Sequence, residues 1–353
     1  MDEPNAPLRR ALPVEPKVTV ITATYNHERY IGRAIESVLN QTFPYWEQII
    51  VSRGSTDDTE TIVSSYSDPR IKLIREERRG LDQLARTYNL ALARSRAPIV
   101  AVLDGDDFWP ADKLERQLPS LEDPDVVLSY GWIRVIGPDG KVLGGRQPRA
   151  LPAHKGIVAN TPVGSVLRKL LFVNFVPWGS LIIRKGALEA AGGFAQPVPL
   201  PPIDYPTCLE LSLQGRWVFI DAVVAYQQLH SASATAEFPL DHAQVGVAIA
   251  TSFAERAIRN GYVDSREVSL EGVRRAAFRY VHGVLVRKGI GLLLAHQWKE
   301  ASSTFAEVLR DSGAAPKYRV LAVAGRWASF GHVSPRLPIA LLRAWGYELA
   351  YLV

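Results

Sequence analysis

Short apolar runs alternate with amphipathic segments along the first third of the chain. Runs rich in β-branched residues predict buried strands at 18–23, 48–51, 71–74 and 99–103. Between them, apolar residues recur at helical spacing and predict helices at 31–39, 55–63 and 81–92, with Asn26 capping the first. Strands that alternate with helices of this length predict right-handed crossovers and a mostly parallel central sheet with flanking helices, the α/β class.

The pattern changes twice further along the chain. Shorter pieces predict strands at 126–130, 180–183 and 217–220, and the proline-dense segment 197–206 predicts a loop. Beyond about residue 240 long helical periods dominate, including a helical hairpin within 295–325. The sequence therefore predicts a disordered leader at 1–16, an α/β domain at 17–238 and an all-helical C-terminal region at 239–353.

Composition and charge exclude several classes of protein. Hydrophobic residues make up 47% and charged residues 22%, which is globular and excludes a disordered or fibrous chain. The net charge of +5 is mild and no basic run occurs, so no nucleic-acid partner is expected. The single cysteine, Cys208, and the absence of a signal-peptide or membrane-spanning pattern predict a cytoplasmic protein.

An acidic cluster, Asp104, Asp106 and Asp107, follows the fourth predicted strand. Ligands of open α/β sheets bind at the carboxyl ends of the strands. Carboxylates placed there can hold Mg²⁺ or Mn²⁺ together with the phosphates of a substrate. A solvated turn is the alternative, because Asp-Gly is a common turn dipeptide, and the cluster alone leaves both interpretations open.

Polar residues also follow the first two predicted strands. Thr24 and Tyr25 end the first strand, and Arg53, Gly54 and Ser55 follow the second. If the strands are parallel, these residues lie on the same edge as the aspartates. Gly54 and the helix N-terminus after it would suit a nucleotide base or phosphate. Turn and capping chemistry is the alternative, which we favour for Ser55.

Four further residues each allow two interpretations. Asp204 is either a general base for an acceptor hydroxyl or the N-cap of a helix, which spacing alone favours. His230 is a metal or phosphate ligand, or a structural histidine. Trp109 and Trp178 either stack on a sugar or pack in the core, which is the commoner role of a tryptophan.

Taken in order, several segments resemble family 2 glycosyltransferases. The segments are 18–26 (VTVITATYN), 27–31, 35–43, 46–51, 54–59, 104–110 (DGDDFWP), 178–188 and 192–194. Asn89 lies fifteen residues before Asp104, as in that family, and Asp204 and His230 continue the match. The resemblance covers roughly residues 17–235.

The resemblance implies a GT-A fold and an inverting transfer of a sugar from a nucleoside-diphosphate donor, foremost a UDP-sugar, to a hydroxyl acceptor. Asp104 would contact the donor ribose, Asp106 and His230 would hold Mn²⁺ or Mg²⁺, and Asp107 would support the loop. Asp204 would be the catalytic base. The donor site would further include Thr24, Tyr25, Arg53 and Asn89, and the acceptor or sugar site Trp109, Trp178 and Gly179.

The chain departs from the family pattern at Arg53, Ile203 and Gln228. The family places an aspartate at position 53, where it recognises the donor base, whereas a guanidinium only donates hydrogen bonds. Glutamate is usual at position 203 and arginine at position 228. These changes support an alternative function, a weakened nucleotide- or glycan-binding relative or a scaffold acting through its helical C-terminus.

The acceptor expected for such an enzyme is a glycan, a lipid-linked sugar or a protein, in the synthesis of surface polysaccharide, glycolipid or glycoconjugate. The C-terminal tail carries Arg336, Arg343, Trp345 and Tyr351 among apolar residues. This pattern is typical of a helix that docks on the inner face of the cytoplasmic membrane. Packing of the tail onto the catalytic domain is the alternative, and we favour it from the sequence.

Overall fold

Within the residues that the structure describes, eight strands form one mixed sheet. The structure is a computed structural model and describes residues 15–78, 80–147, 158–200, 202–233, 239–332 and 335–344, without the side chains at 144–147 and 341–344. Almost all of the predicted leader lies outside these ranges. The strands are β1 (Val18–Thr24), β2 (Trp46–Ser52), β3 (Ile71–Arg75), β4 (Ile99–Val102), β5 (Val126–Ile136), β6 (Val142–Gln147), β7 (Ile182–Arg184) and β8 (Arg216–Gln228).

The sheet is parallel in its first half and mixed in its second. Its strand order is β3-β2-β1-β4-β7-β5-β6, and β8 pairs with β5. The four strands predicted first are parallel to one another, as expected. β7 runs antiparallel to β4 and β5, and β6 runs antiparallel to β5. The prediction of a mostly parallel central sheet is confirmed, since β8 is also parallel to β5. The antiparallel pair β5 and β6 follows from the short turn that joins them.

Helices flank this sheet and make up the C-terminal region. They are α1 (Ile31–Leu39), α2 (Thr59–Ser65), α3 (Leu84–Arg94), α4 (Lys113–Gln117), α5 (Ser165–Leu170), α6 (Lys185–Ala190), α7 (Asp204–Leu211), α8 (Pro239–Arg259), α9 (Leu270–Leu294), α10 (Trp298–Arg310), α11 (Pro316–Phe330) and α12 (Arg336–Ala344). α10 and α11 form the predicted helical hairpin. None of the described helices is both long and apolar enough to cross a membrane.

Two local predictions were wrong, one on a helix cap and one on a loop. Asn26 does not cap α1, which begins after Tyr30. Its backbone has a φ of 52°, and its side chain instead accepts a hydrogen bond from the backbone nitrogen of Thr56 at 2.8 Å. The proline-dense segment is also not entirely a loop. α7 begins at Asp204 and contains Pro206 in its first turn, where a missing N–H is tolerated.

The two faces of the sheet bury different apolar clusters. Along β1, Val18 and Val20 join one cluster and Ile21 and Ala23 the other, because successive side chains of a strand point to opposite faces. Apolar residues of α8 belong to the second of these clusters, whereas α9 to α11 bury a third. The domain boundary at 238 stays a prediction, since α8 packs on the α/β core.

Parallel register brings three loops to one edge of the sheet. The backbone nitrogen of Arg53 donates to the carbonyl of Thr24 at 3.0 Å, so the ends of β1 and β2 are adjacent. The nitrogen of Gly105 donates to the carbonyl of Ala23 at 3.0 Å, which joins the loop after β4 to the same edge. The polar residues after β1, β2 and β4 therefore lie side by side.

A buried carboxylate joins the other end of these strands. Glu47 on β2 is 1% exposed and accepts hydrogen bonds from Lys72 Nζ at 2.9 Å, Arg96 Nε at 2.8 Å and Thr19 Oγ1 at 2.9 Å. Burial raises the pKa of Glu47, but the hydrogen bonds from Lys72 and Arg96 outweigh burial and lower it to about 2. The ionised form is therefore the form that the fold stabilises.

We expect Glu47→Gln to lower the free energy of unfolding by roughly 1–3 kcal/mol near pH 7. The wild-type contribution is fully present above the unfolded pKa of 4.5 and is lost as pH falls toward the folded pKa of about 2. The difference between the two proteins should therefore shrink across this acidic range. Urea unfolding at a series of pH values measures it, and a difference independent of pH would contradict the assignment.

Candidate active site

Three aspartates meet in the loop after β4. One carboxylate oxygen from each of Asp104, Asp106 and Asp107 lies within 4.8 Å of the others. Asp107 is 7% exposed, and Asp104 and Asp106 are half-buried. The solvated-turn interpretation of this cluster is therefore wrong, because the carboxylates turn toward one another and away from solvent.

Asp104 lies beside the aromatic side chain of Tyr88. Its Oδ1 accepts a hydrogen bond from the hydroxyl of Tyr88, which is buried on α3. The indole Nε1 of Trp178 lies 3.4 Å from the same hydroxyl, and the two rings meet edge to face at 5.6 Å. Burial, and next the charge of Asp106, raise the pKa of Asp104 to about 7.

Asp106 faces two histidines. Its Oδ2 lies 2.9 Å from His230 Nε2, so the structure brings together the two predicted metal ligands. His27 is the second histidine, and its ring centroid is 6.0 Å from that of His230. Burial raises the pKa of Asp106, but the hydrogen bond from His230 and the charge of His27 outweigh it and lower the pKa.

Sequence reasoning gave His27 no role, although its position contained a signal. His27 lies three residues beyond the carboxyl end of β1, on the edge that the parallel strands share. One ring nitrogen of His27, one of His230 and a carboxylate oxygen of Asp106 lie within 4.8 Å of one another. This group forms a second set of side chains that could hold a metal ion.

Asp107 is tied to the last strand. Its Oδ1 accepts a hydrogen bond from the backbone nitrogen of Gln228 at 2.9 Å. Burial, and next the charges of Asp106 and Asp104, raise the pKa of Asp107 well above its usual value. This contact fits the predicted support of the loop, because it fastens the loop after β4 to β8.

Asp204 lies at the start of α7, within electrostatic range of Asp104. It is the first residue of the helix and follows the N-cap Ile203, so the N-cap interpretation is wrong. Asn174 Nδ2 donates a hydrogen bond to Asp204 Oδ2 at 3.1 Å. Burial raises the pKa of Asp204, and the charge of His242 on α8 partly offsets that effect. The charge of Asp204 in turn raises the pKa of Asp104.

The predicted donor-binding residues fall into two groups. Thr24 and Tyr25 lie at the end of β1, and Thr24 Oγ1 is buried without a hydrogen-bond partner among the described residues. Arg53 is 7% exposed, and its Nη2 donates to the carbonyl of Gly80 at 2.8 Å. Asn89 instead holds the backbone of Phe194, accepting from its nitrogen at 2.8 Å and donating to its carbonyl at 2.9 Å. The structure thus favours a positioning role for Asn89.

Trp109 packs in the core and does not offer a face to a sugar. It is 4% exposed, and its indole Nε1 donates to the carbonyl of Gly179 at 3.2 Å. The buried Lys113 Nζ lies 4.7 Å from its ring centroid. The core-packing alternative is therefore the one the structure supports for this residue. Trp178, by contrast, is half-buried and lies beside Tyr88.

Residues 19–177 match the sequence profile of glycosyl transferase family 2. This match spans β1 to β6 and includes the whole acidic cluster. Residues 19–177 therefore resemble glycosyl transferase family 2. The resemblance drawn from the sequence motifs is confirmed.

Named bacterial glycosyltransferases are similar to this domain. TuaG of Bacillus subtilis (strain 168), named for teichuronic acid biosynthesis, is 40% identical over 131 residues, which are 36% of this chain and 51% of TuaG. WfgD of Escherichia coli is 36% identical over 119 residues, 34% of this chain and 46% of WfgD. The chain spans about half the length of these curated relatives.

Two solved structures share the fold of the chain. S. aureus TarS 1–349 aligns with a TM-score of 0.54 at 19% identity and covers 94% of this chain and 92% of its own. The mannosyltransferase PcManGT from Pyrobaculum calidifontis aligns with a TM-score of 0.54 at 20% identity, and the alignment covers 95% of this chain and 89% of PcManGT. The glycosyltransferase domain therefore has a GT-A-like fold, and the likeness extends over the helical C-terminal region.

The side chains of the site fit the divalent cation that the family resemblance implies. Three carboxylates crowd together at low exposure, and a cation would offset both their burial and their mutual repulsion. Two sets share Asp106, one with only oxygen ligands (Asp104, Asp106, Asp107) and one with two imidazoles (His27, Asp106, His230). Oxygen ligands suit Mg²⁺ and Mn²⁺, whereas imidazoles suit transition metals.

Proposed function

We propose that the chain transfers a sugar from a nucleoside-diphosphate donor to an acceptor hydroxyl, with inversion at the anomeric carbon. The observation that carries the proposal is the position of Asp204. This half-buried carboxylate has a raised pKa and lies close enough to the acidic cluster for its charge to raise the pKa of Asp104. A donor diphosphate held at the cluster and an acceptor hydroxyl held at Asp204 would therefore lie near each other.

Asp204 is the base of the proposed reaction. Its carboxylate takes the proton of the acceptor hydroxyl as the acceptor oxygen forms a bond to the anomeric carbon. The bond from that carbon to the diphosphate oxygen breaks, and its electron pair leaves on the diphosphate. Attack opposite to the leaving group inverts the carbon. Asn174 donates a hydrogen bond to Asp204 Oδ2 and so holds the carboxylate in place.

A divalent cation, Mn²⁺ or Mg²⁺, is proposed at Asp106, where it supplies positive charge for the departing diphosphate. Asp104, whose Oδ1 accepts from Tyr88, is proposed to accept a hydrogen bond from the donor ribose as well. Thr24 and Tyr25 are proposed to line the nucleoside. The relative WfgD is named as using UDP-Glc, whereas PcManGT is named in complex with GDP-Man and Mn²⁺. A UDP-sugar is the first donor to test.

The catalytically weakened relative is the second candidate function. Arg53 replaces the acidic residue that reads the donor base, and its Nη2 already donates to the carbonyl of Gly80. Gln228 argues against weakening, because its backbone nitrogen, which any residue offers, holds Asp107. Sugar transfer that depends on a divalent cation would remove this candidate, whereas nucleotide binding without transfer would favour it.

We expect Asp204→Asn to lower kcat about 100- to 10,000-fold, because an amide cannot take the acceptor proton. Nucleoside-diphosphate affinity should stay within threefold of wild type, since Asp204 lies outside the cluster. In the wild type the acidic limb of the rate profile should lie above the ordinary aspartate pKa of 3.8, because the base acts when ionised and its pKa is raised. Donor turnover measured as a function of pH tests both the loss of kcat in the variant and the position of the acidic limb in the wild type.

The matched control for this variant is Asp241→Asn, an exposed carboxylate beside His242 on α8. It should keep both the rate and the position of the acidic limb. Wild-type turnover in Asp204→Asn would remove the proposed base.

A peripheral contact with a lipid bilayer is part of the proposal for the acceptor. α11 exposes Val320, Val323, Trp327 and Phe330, at 49%, 44%, 76% and 70%. Their spacing of three, four and three residues places them on one face of the helix. Residues 312–347 contain no acidic side chain, and Lys317, Arg319 and Arg326 lie on the same helix. An aromatic and apolar stripe with basic residues is typical of helices that bind anionic lipid surfaces.

We expect the protein to sediment with vesicles of phosphatidylcholine and phosphatidylglycerol more than with phosphatidylcholine alone. Trp327→Ser with Phe330→Ser should abolish this binding, because the two side chains supply most of the exposed aromatic surface of α11. Leu294→Ser, also at an exposed apolar position, is the matched control and should bind like wild type. No vesicle binding by the wild type, or unchanged binding by the double variant, would overturn this contact.

A further inference from the structure

His27 is fixed in place by contacts on several sides. Its backbone nitrogen donates to Thr59 Oγ1 at 2.8 Å. Its carbonyl accepts from the nitrogens of Tyr30 at 2.9 Å and Ile31 at 2.8 Å, at the start of α1. The ring meets the ring of Tyr30 at 6.3 Å and that of His230 at 6.0 Å, both edge to face. The imidazole therefore has a defined orientation toward the acidic loop.

One ring nitrogen of His27 has no partner. Nδ1 is buried and accepts or donates no hydrogen bond within the part of the chain that the structure describes. A buried polar atom left in this state destabilises the fold, because it has lost its hydrogen bonds to water. Thr24 Oγ1, a second unpartnered buried atom, lies on the same side. Both atoms border the acidic loop, where an ion or a water could serve as their partner.

Gly105 creates the space between these atoms. A Cβ at this position would lie 2.6 Å from Thr24 Oγ1 and 2.9 Å from His27 Nδ1. Only a residue without a side chain therefore lets the loop of the acidic cluster pass so close to the end of β1. The space is bordered by an imidazole nitrogen, a hydroxyl and the neighbouring carboxylate of Asp106.

The two candidate ligand sets differ in that only the imidazole set contains a buried nitrogen with no hydrogen-bond partner among the described residues. In the all-oxygen set, Asp104 Oδ1 accepts from Tyr88 and Asp107 Oδ1 accepts from Gln228. In the imidazole set, His27 Nδ1 is without a partner, and His230 Nε2 meets Asp106 Oδ2 at 2.9 Å. A cation can take the place of the proton shared in that contact, since metal binding displaces protons from its ligands.

We propose that His27 is a metal ligand that completes, with Asp106 and His230, a site selective for Mn²⁺ over Mg²⁺. The inference rests on the proposed function, because the cation would be the one that the donor diphosphate meets. Two imidazoles and one carboxylate on one side of an ion leave positions open for phosphate oxygens, an arrangement that suits first-row transition metals. Mg²⁺ instead prefers oxygen ligands and keeps several waters.

The test is a Mn²⁺ titration of the full chain followed by electron paramagnetic resonance, with and without UDP. Wild type should bind Mn²⁺ in the presence of UDP, with electron spin echo modulation from two imidazole nitrogens. His27→Asn should weaken Mn²⁺ binding about tenfold or more and remove one of the two imidazole couplings. An excess of Mg²⁺ should displace Mn²⁺ more easily from the variant than from wild type.

His296→Asn, which changes an exposed histidine of the helical region, is the matched control and should behave like wild type. Circular dichroism and thermal unfolding establish that each variant is folded. Unchanged Mn²⁺ affinity and couplings in His27→Asn would overturn the inference, and loss of Mn²⁺ only in Asp104→Asn or Asp107→Asn would assign the all-oxygen set. Wild type that binds no Mn²⁺ would overturn the inference too. Sugar transfer measured in EDTA then tests the proposed transfer separately from the metal site.

Discussion

Repulsion among carboxylates gathered at one edge of the sheet is the interaction on which the rest of the site depends. Asp104, Asp106 and Asp107 lie within 4.8 Å of one another at low exposure, which raises the pKa of the first and the last. The fold offsets this cost locally with hydrogen bonds from Tyr88, Gln228 and His230. A cation would offset the remaining repulsion and would in turn attract a donor phosphate, which is why the arrangement suits a charged ligand.

Parallel strands bring the carboxylates together, and the mixed half of the sheet adds residues from later in the chain. The loops after β1, β2 and β4 are joined by backbone hydrogen bonds at one edge. β8 returns beside β5 and brings Gln228 and His230 to the cluster from later in the chain. α7 adds Asp204 from a third direction. The helical region contributes as well, because His242 of α8 lies in the field of Asp204.

Much of the fold was predictable because its first half repeats one simple pattern. Runs rich in β-branched residues, such as β1, and amphipathic helices, such as α1, have patterns that indicate burial, so their positions could be predicted from the sequence. The antiparallel strand β7 has only three residues and carried too little pattern to reveal its direction. The acidic cluster and Asp204 stood out by residue type and order. His27, His242 and Asn174 did not, since their roles depend on contacts between distant segments.

The central claim is that the acidic cluster binds a nucleoside diphosphate through a divalent cation. Thermal unfolding of wild type and Asp106→Asn with UDP, GDP, dTDP or CMP, each with and without Mn²⁺, tests it most directly. A ligand that binds only the folded state stabilises it by RT ln(1 + [L]/Kd) and so raises the unfolding temperature. We expect one nucleoside diphosphate to stabilise wild type, more strongly with Mn²⁺, and to lose the Mn²⁺ effect in Asp106→Asn. No stabilisation by any nucleotide, with or without Mn²⁺, would contradict the claim.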